Sequence, residues 1–359
     1  MTISRTARLA ALAVTGVLAL AACGSDGGSS TSSGDSSCVS GSIKASGSSA
    51  QKNAMAEWVK GYQTSCSGAT IDYQANGSGA GIQDFINKQT AFAGSDSALK
   101  DADKTNADAR CATGPAIDIP MVGGAIVAAY NVAGVDKLIL TSDVLAGIFA
   151  NTITTWNDPK IAALNPGVTL PAATIAQFHR SDSSGTTDNF TKFLAATSTG
   201  WTFSNAKEWK APGGQGAKGS DGVASAVKTT ANSIGYVELS FAQDAKLAAA
   251  WVDNGSGTPV EPTSANAAKT VEAAAIKGTG NDLALSIDYK TTAGYPAVLV
   301  TYEITCEKGL DPSLVDLTKS FLTYTASDAG QASLTDLGYV PITGELLTKV
   351  RTAVSSISA

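Results

Sequence analysis

The sequence is poor in metal-binding residues, with a single histidine, His179, and five cysteines that form no C-x-x-C pair. Structural zinc sites combine several cysteines and histidines at short spacings, so the sequence argues against a metal site. We expect neither a metal nor a cofactor.

The chain also lacks an excess of positive charge, since its formal net charge is -6 at pH 7. A partner held by neutralising phosphates along a nucleic acid would require a basic surface, so we expect no nucleic-acid partner. A small buried anion responds instead to local backbone dipoles and a few nearby side chains. The net charge therefore does not exclude a binding site for a small anion.

The N-terminal apolar run, Leu9 to Leu20, has about 12 residues, fewer than the roughly 20 that a membrane-spanning helix needs. It follows Arg5 and Arg8 and ends in Leu20-Ala21-Ala22-Cys23, the pattern of a lipoprotein export signal. We expect a signal peptide over 1–22, lipid on Cys23, and a location at the cell membrane on its extracytoplasmic face.

The segment after Cys23 is rich in Gly and Ser and has no apolar side chain between residues 24 and 35. Such a segment cannot bury a core, so a flexible tether is predicted over 23–37. The remaining chain exceeds what one hydrophobic core usually organises, and two lobes are expected. We assign 38–124 and 296–359 to lobe I and 125–295 to lobe II.

Four cysteines remain once Cys23 is assigned to the lipid, an even number in an oxidising compartment. Two disulfides are expected, and three pairings are open. We favour Cys38 with Cys66, which would tie the start of the first strand to the loop after the first helix. Cys111 and Cys306 would then form the second pair.

A pattern of strand, hydroxyl-bearing loop and helix occurs three times. The loops that it contains are Ser46-Gly47-Ser48-Ser49, Gly77-Ser78-Gly79-Ala80-Gly81 and Arg180-Ser181-Asp182-Ser183-Ser184-Gly185-Thr186. Alternating strands and helices predict α/β lobes with mostly parallel sheets, in which ligands bind beyond the carboxyl ends of the strands.

These loops have the chemistry of an oxyanion site. A helix N-terminus offers unpaired backbone N–H groups and a partial positive charge, and a Ser or Thr adds a hydroxyl donor. Gly77, Gly79 and Gly81 would allow close backbone approach to a ligand, and Arg180 is a planar donor of two parallel hydrogen bonds. Taken singly, Ser49 or Ser78 could be an ordinary helix cap.

Several blocks in order resemble the substrate-binding proteins of high-affinity Pst phosphate transporters. The blocks are residues 73–81 with Ala93-Gly94-Ser95-Asp96, residues 180–186, Trp156-Asn157-Asp158-Pro159, Leu164-Asn165-Pro166-Gly167 and Ile234-Gly235-Tyr236-Val237-Glu238. The resemblance covers nearly all of the chain after the tether. It implies a two-lobed periplasmic-binding-protein fold, type II-like, with mixed sheets flanked by helices and a hinged interlobe cleft.

Carried over by position, the family's ligand contacts fall on Ser49, Ala50, Ser78, Asp96, Arg180, Ser184, Gly185 and Thr186. Where the family commonly has Thr and Phe, this chain has Ser49 and Ala50, so the choice between Ser48 and Ser49 stays open. Asp182 would orient Arg180. Asp96 would accept a hydrogen bond from the P–O–H group of phosphate and repel sulfate, which has no such proton.

The resemblance further implies a membrane permease and a cytoplasmic ATPase as partners, capture of inorganic phosphate for import, and no enzymatic activity. We expect a monomer. The alternative within this fold is a receptor for sulfate or molybdate, against which Asp96 argues.

Two enzyme classes are alternatives to this interpretation. A dinucleotide-binding enzyme needs G-x-G-x-x-G, but the third glycine, Gly81, comes one residue early. A serine hydrolase around Ser78 and His179 lacks the G-x-S-x-G elbow. The segment from Gly213 to Lys218 has the wrong spacing for a phosphate-binding P-loop, and we expect a loop near the cleft rim.

Overall fold

The computed structural model describes residues 38–253 and 255–359. The predicted signal peptide, the lipidated Cys23 and the whole predicted tether lie outside these residues. Within the described ranges, no helix is long and apolar enough to cross a bilayer.

The β-strands are numbered along the chain. They are β1 (Gly41–Gly47), β2 (Ala69–Gln74), β3 (Phe92–Ser95), β4 (Ala116–Asn131), β5 (Ile139–Thr141), β6 (Ala176–Arg180), β7 (Gln215–Ala217), β8 (Ser233–Glu238), β9 (Ala248–Ala249), β10 (Trp251–Asp253), β11 (Pro259–Val260), β12 (Ala275–Ile276), β13 (Leu285–Ser286), β14 (Val298–Cys306) and β15 (Tyr339–Pro341).

The helices are numbered in the same way. They are α1 (Lys52–Ser65), α2 (Ser78–Ile86), α3 (Asp101–Cys111), α4 (Ser142–Phe149), α5 (Pro159–Leu164), α6 (Gly185–Thr197), α7 (Gly219–Thr229), α8 (Leu239–Ala245), α9 (Ser264–Glu272), α10 (Pro312–Thr325), α11 (Asp328–Ala332) and α12 (Gly344–Ser356).

The first sheet has the order β2-β1-β3-β14-β4, and β15 also pairs with β4. Strand β1 runs parallel to β2 and β3, whereas β14 is antiparallel to β3 and β4. Because the carboxyl ends of parallel strands meet at one edge of a sheet, the turns after β1, β2 and β3 lie together. These turns hold Ser48, Gly77 and Asp96.

The second sheet has the order β4-β8-β6-β7, with β9 also paired to β4. Strand β6 is parallel to β7 and β8, so the turns that follow β6 and β7 also meet at one edge. The turn after β6 carries Arg180 into α6, and the turn after β7 leads into α7.

The long strand β4 belongs to both sheets. It pairs with β14 up to Ala125 and with β8 from Ile126 onward. The strand therefore crosses from one sheet to the other, and the two-lobed α/β fold with mixed sheets is confirmed.

The segment between α9 and β13 packs on the first sheet. Val271 of α9 lies against Gly123, the Leu283 N–H donates to the Asp118 carbonyl at 2.9 Å, and the Leu285 N–H donates to the Tyr302 hydroxyl at 3.1 Å. The lobe bounds stay a prediction. We propose that the chain passes back from lobe II to lobe I nearer to residue 264 than to residue 296.

Helix α11 is short and ends at Ala332. Turns follow because the chain must reverse into β15, and Gly338 has a φ of 91° there. Ser327 caps the start of α11 by accepting the Gly330 N–H.

Both favoured disulfides are present in the structure, Cys38–Cys66 and Cys111–Cys306. The first links the residues before β1 to the end of α1. The second links the ends of α3 and β14, and its sulfurs are buried in the core. The long bond therefore anchors a central strand of the first sheet.

Replacing Cys111 and Cys306 together by Ala should lower the free energy of unfolding more than replacing Cys38 and Cys66. Loop closure gives about 5 kcal/mol for the separation of 195 residues and about 3.5 kcal/mol for that of 28. Denaturant unfolding of both double variants measures the difference. Equal losses would show that chain entropy does not determine the effect.

Candidate functional site

The N-terminal ends of four helices, α1, α2, α6 and α7, face one another. The hydroxyls of Ser49, before α1, and Ser220, in α7, lie 3.0 Å apart. The Gly79 N–H of α2 donates to the Ser183 carbonyl before α6 at 3.0 Å. The partial positive charges and first N–H groups of these helices therefore converge on one region. Such a region is a favourable environment for an anion.

Asp96 lies at the centre of this region and is 3% exposed. The Thr301 hydroxyl donates to its Oδ1 at 2.9 Å, the Thr186 hydroxyl donates to its Oδ2 at 2.9 Å, and the Ser48 hydroxyl also donates to Oδ1. Ser48 and Thr301 belong to the first lobe, and Thr186 is in α6. The carboxylate is thus held from both sides of the cleft.

Burial raises the pKa of Asp96 above its ordinary value, while the three hydroxyl donors and the charge of Arg180 oppose this shift. A buried carboxylate is costly unless it is hydrogen-bonded, and here every oxygen has a donor. The site is therefore built to hold a carboxylate inside the protein.

The two serines that the sequence left open have different partners. Ser48 donates to Asp96 and accepts the Ala50 N–H at 3.0 Å. Ser49 accepts the Ser220 N–H at 3.0 Å. Ser48 therefore organises the loop and Asp96, whereas Ser49 faces α7 across the cleft.

The glycine loop before α2 makes close contacts with the second lobe. Added Cβ atoms would lie 2.5 Å from the Asp182 Oδ2 at Gly77 and 2.1 Å from the Ser183 Oγ at Gly79. Gly77 also has a φ of 103°, which L side chains rarely adopt. Ser78 accepts the Asp96 N–H at 3.2 Å, so its own hydroxyl hydrogen is left for another acceptor.

The start of α6 lies opposite the glycine loop, on the second-lobe side of the cleft. Ser184 caps the helix by accepting the Thr187 N–H at 3.2 Å. A Cβ at Gly185 would lie 2.7 Å from both the Asp96 Cβ and the Ser78 Oγ. Only glycine allows this helix to approach the first lobe so closely.

Arg180 and Asp182 form a buried pair with two parallel bonds. The Arg180 Nε donates to Oδ1 at 2.7 Å, and a terminal nitrogen donates to Oδ2 at 2.5 Å. These bonds use two of the five guanidinium N–H groups, which leaves three for other acceptors. Asp182 thus orients Arg180, which is 2% exposed and is not a surface charge.

The pKa of Asp182 is lowered despite partial burial, because the hydrogen bonds and charge of Arg180 outweigh the cost of desolvation. The Gly219 N–H also donates to Asp182 Oδ1 at 3.0 Å. One carboxylate therefore connects Arg180 to the N-terminus of α7.

Three residues at the site were not predicted from the sequence. They are Thr301, which binds Asp96, and Gly219 and Ser220 at the start of α7. Thr301 is a polar residue within the apolar stretch of β14, and this was the available signal. Within the expected loop from Gly213 to Lys218, Gln215–Ala217 form strand β7, and Lys218 then leads into α7.

His179 is engaged away from Ser78. Its ring stacks on Trp209 with centroids 4.9 Å apart, and its Nδ1 lies 3.0 Å from the Arg180 carbonyl. Burial lowers the pKa of His179. In the described part of the chain, no cluster of three or more His, Cys, Asp and Glu side chains could hold a metal ion.

Two lobes that share a strand and direct hydroxyls, helix N-termini and an arginine into their cleft define a solute-binding protein for an oxyanion. The model of the PBP superfamily domain matches residues 32–329. The chain belongs to this superfamily and, within it, to the family of the phosphate-binding proteins PstS.

Several known proteins support this membership. Phosphate-binding protein PstS3 of Mycobacterium bovis is 43% identical over 96% of both chains, and the PstS protein of Pasteurella multocida is 33% identical over 82% of this chain and 85% of its own. A high-affinity periplasmic phosphate-binding protein, PfluDING, solved with bound phosphate, is 26% identical with a TM-score of 0.71, covering 87% of this chain and 93% of its own.

Changing Asp182 to Asn should lower the free energy of unfolding by about 3 kcal/mol, because it leaves a buried guanidinium without its counter-charge. Denaturant unfolding measures the loss. The matched control is Asp328→Asn, which breaks the pair with Arg351, where the Asp328 side chain is 94% exposed. No measurable change is expected for the control. Equal effects would contradict a structural role for the buried pair.

Proposed function

We propose that this chain captures inorganic phosphate in the interlobe cleft and delivers it to an ABC transporter for import. The observation that carries the proposal is the buried Asp96 carboxylate surrounded by anion donors. An acceptor among so many donors suits a ligand that carries both negative charge and a proton.

The donors available to the anion come from both lobes. The proposed contacts are Ser49, Ala50, Ser78, Asp96, Arg180, Ser184, Gly185 and Thr186, supported by Asp182, Gly77 and Gly79. Because the Ser48 hydroxyl already donates to Asp96, we propose Ser49 rather than Ser48 as the hydroxyl contact. The Thr186 hydroxyl also donates to Asp96, so we propose that Thr186 contacts the anion through its backbone N–H in the first turn of α6. Three N–H groups of Arg180 remain to neutralise the ligand oxygens.

Asp96 supplies the selectivity in this proposal. Phosphate near neutral pH keeps a P–O–H group that can donate to the carboxylate, whereas sulfate has no such proton and would be repelled. Sites that hydrogen-bond a specific ligand proton reject the analogue lacking it by roughly 10⁴-fold or more. Asp96 therefore argues against a sulfate or molybdate receptor.

Contacts across the cleft support a hinged closure around the ligand. Ser97 donates to Asp188 at 2.6 Å beside Asp96, and the Lys52–Asp221 and Lys207–Asp103 ion pairs join the two lobes at 2.8 and 2.9 Å. Since donors from both lobes are required, the anion would favour the closed arrangement. A transporter could then distinguish the loaded protein from the unloaded one.

The finer parts of the proposal concern partners and location. We propose a membrane permease and a cytoplasmic ATPase as partners, a lipid on Cys23 that holds the chain on the extracytoplasmic face of the cell membrane, and a monomeric state. We also propose that the chain is not an enzyme. The engagement of His179 with Trp209 and Arg180 supports this, because Ser78 then has no histidine base.

Changing Asp96 to Asn should weaken phosphate binding and lower the preference for phosphate over sulfate by more than about tenfold, because the charge that repels sulfate is gone. Isothermal titration calorimetry with both anions on the folded domain measures the ratio. Wild-type protein that binds sulfate as tightly as phosphate would overturn the role of Asp96.

The matched control for this experiment is Asp221→Asn. It removes an equal charge from the start of α7, where Asp221 pairs with Lys52 and its side chain is 60% exposed. The phosphate-to-sulfate ratio should stay at the wild-type value in this variant. A similar fall of the ratio in both variants would mean that net charge, not the position of Asp96, determines selectivity.

Changing Gly185 to Ala should weaken phosphate binding by at least about tenfold, because the new methyl group would hold α6 away from Asp96 and Ser78. The ligand-free protein should keep its unfolding free energy within about 1 kcal/mol, since Ala favours helix. The control is Gly222→Ala in α7, where the nearest atom lies 3.6 Å away. Unchanged affinity in Gly185→Ala would contradict the close approach of the lobes.

A further inference from the structure

A second carboxyl group, that of Glu303, lies beside Asp96 at the base of the site. Glu303 is fully buried on β14, and its Cα pairs with Gly94 of β3 and Ile119 of β4. It comes two residues after Thr301, so both side chains lie on one face of the strand. Thr301 donates to Asp96, and Glu303 is therefore directed to the same region.

The hydrogen bonds around Glu303 have a fixed direction. The Tyr73 hydroxyl donates to the Ser48 carbonyl at 2.8 Å, so its oxygen accepts from the Gln51 Nε2 at 3.0 Å. The amide oxygen of Gln51 then remains as an acceptor without a donor, and Gln51 is the neighbour of Glu303. Gly94 leaves the space for this arrangement, since a Cβ there would lie 2.1 Å from the Gln51 Nε2.

A protonated Glu303 would complete this network. Among the described residues, neither oxygen of Glu303 has a hydrogen-bond donor, and the Gln51 amide oxygen also lacks one. A carboxylic acid supplies one O–H, which is the donor that Gln51 lacks. An ionised Glu303 would instead be a buried charge without donors, which is strongly unfavourable.

The donors also decide which of the two neighbouring carboxyls is ionised. Asp96 receives three hydroxyl hydrogen bonds and the favourable charge of Arg180, whereas Glu303 receives no hydroxyl. The titratable groups that act on Glu303 are Asp96 and Tyr73. Burial, reinforced by the charge of Asp96, raises the pKa of Glu303 to about 8.

We propose that Glu303 is a positioning residue that remains protonated behind Asp96 and keeps the negative charge of the pair on Asp96. Asp96 can then accept the ligand's proton in a hydrogen bond. This inference rests on the proposed function of the site, and it adds a residue that never touches the ligand.

The proposal predicts a proton linked to phosphate binding at high pH. The groups around Glu303 all belong to the first lobe, so it stays buried when the lobes separate. Bound phosphate adds negative charge nearby and raises the pKa of Glu303 further. Above about pH 8 the free protein has lost this proton and must regain it on binding, which weakens affinity by at most about tenfold per pH unit.

The experiment is calorimetric titration with inorganic phosphate between about pH 7 and about pH 9.5 for wild type and Glu303→Gln. Over the upper part of this range phosphate stays a dianion with one P–O–H. The two proteins should bind with similar affinity at pH 7, and wild type should become about tenfold weaker than the variant at the upper limit. Parallel pH profiles would overturn the proposal.

The matched control is Glu307→Gln, just beyond the end of β14, where Glu307 accepts a hydrogen bond from Asn281 at 2.9 Å. Its pH profile should follow wild type. Infrared difference spectra at pH 7 provide a second readout that does not involve the ligand. Buried Asp118 and Glu238, whose pKa values are also raised by burial, can contribute carboxylic acid bands of their own, so each variant is compared with wild type. Glu303→Gln should lack carboxylic acid absorbance that wild type and Glu307→Gln both show, and equal carboxylic acid absorbance in all three would refute a protonated Glu303.

These measurements separate the two proposals. If no protein binds phosphate at pH 7, the proposed function fails, while the infrared band still reports the state of Glu303. If all bind phosphate and keep their preference over sulfate but share one pH profile, the function stands and the role of Glu303 fails.

Discussion

The arrangement of the cleft depends on keeping one carboxylate, that of Asp96, buried and charged. Without donors this charge would cost several kcal/mol, and the structure places hydroxyls from Ser48, Thr301 and Thr186 on its two oxygens. These donors come from different parts of the chain. The requirement to satisfy Asp96 therefore links the two lobes as well as defining the site.

The sheet architecture brings these donors together. Parallel strands β1, β2 and β3 end at the same edge, which places Ser48, Gly77 and Asp96 in adjacent turns. Strand β14 enters antiparallel between β3 and β4 and contributes Thr301 from the distant C-terminal part of the chain. The ladder of β14 with β4 shifts register next to Thr301, opposite Pro120, which has no N–H to donate.

The second lobe contributes a positive charge and a close contact with the first lobe. Arg180 is held by two hydrogen bonds to Asp182, so its orientation is fixed, and in the proposed site fewer rotamers would be lost when an anion binds. Gly185 and Gly79 lie at the contact between the lobes because a Cβ at either position would be too close to its neighbours. The close contacts between the lobes at the proposed site therefore need residues without side chains.

Residue types and local strand and helix patterns predicted the α/β class and the oxyanion chemistry of the loops, and the chain length predicted two lobes. The sequence left three disulfide pairings possible, and the structure shows the favoured one. Ser78, Asp96, Arg180 and the turn into α6 were predicted as ligand contacts through the resemblance to the Pst phosphate-binding proteins. Thr301, Ser220 and Glu303 were not predicted, because their roles arise from pairing between strands and from the approach of helices far apart in the chain. Ser48 and Ser49 carry the same hydroxyl group at adjacent positions, so the sequence could not distinguish them. The tertiary structure does, because Ser48 donates to Asp96 whereas Ser49 accepts from Ser220 of α7, which the packing of the second lobe brings close.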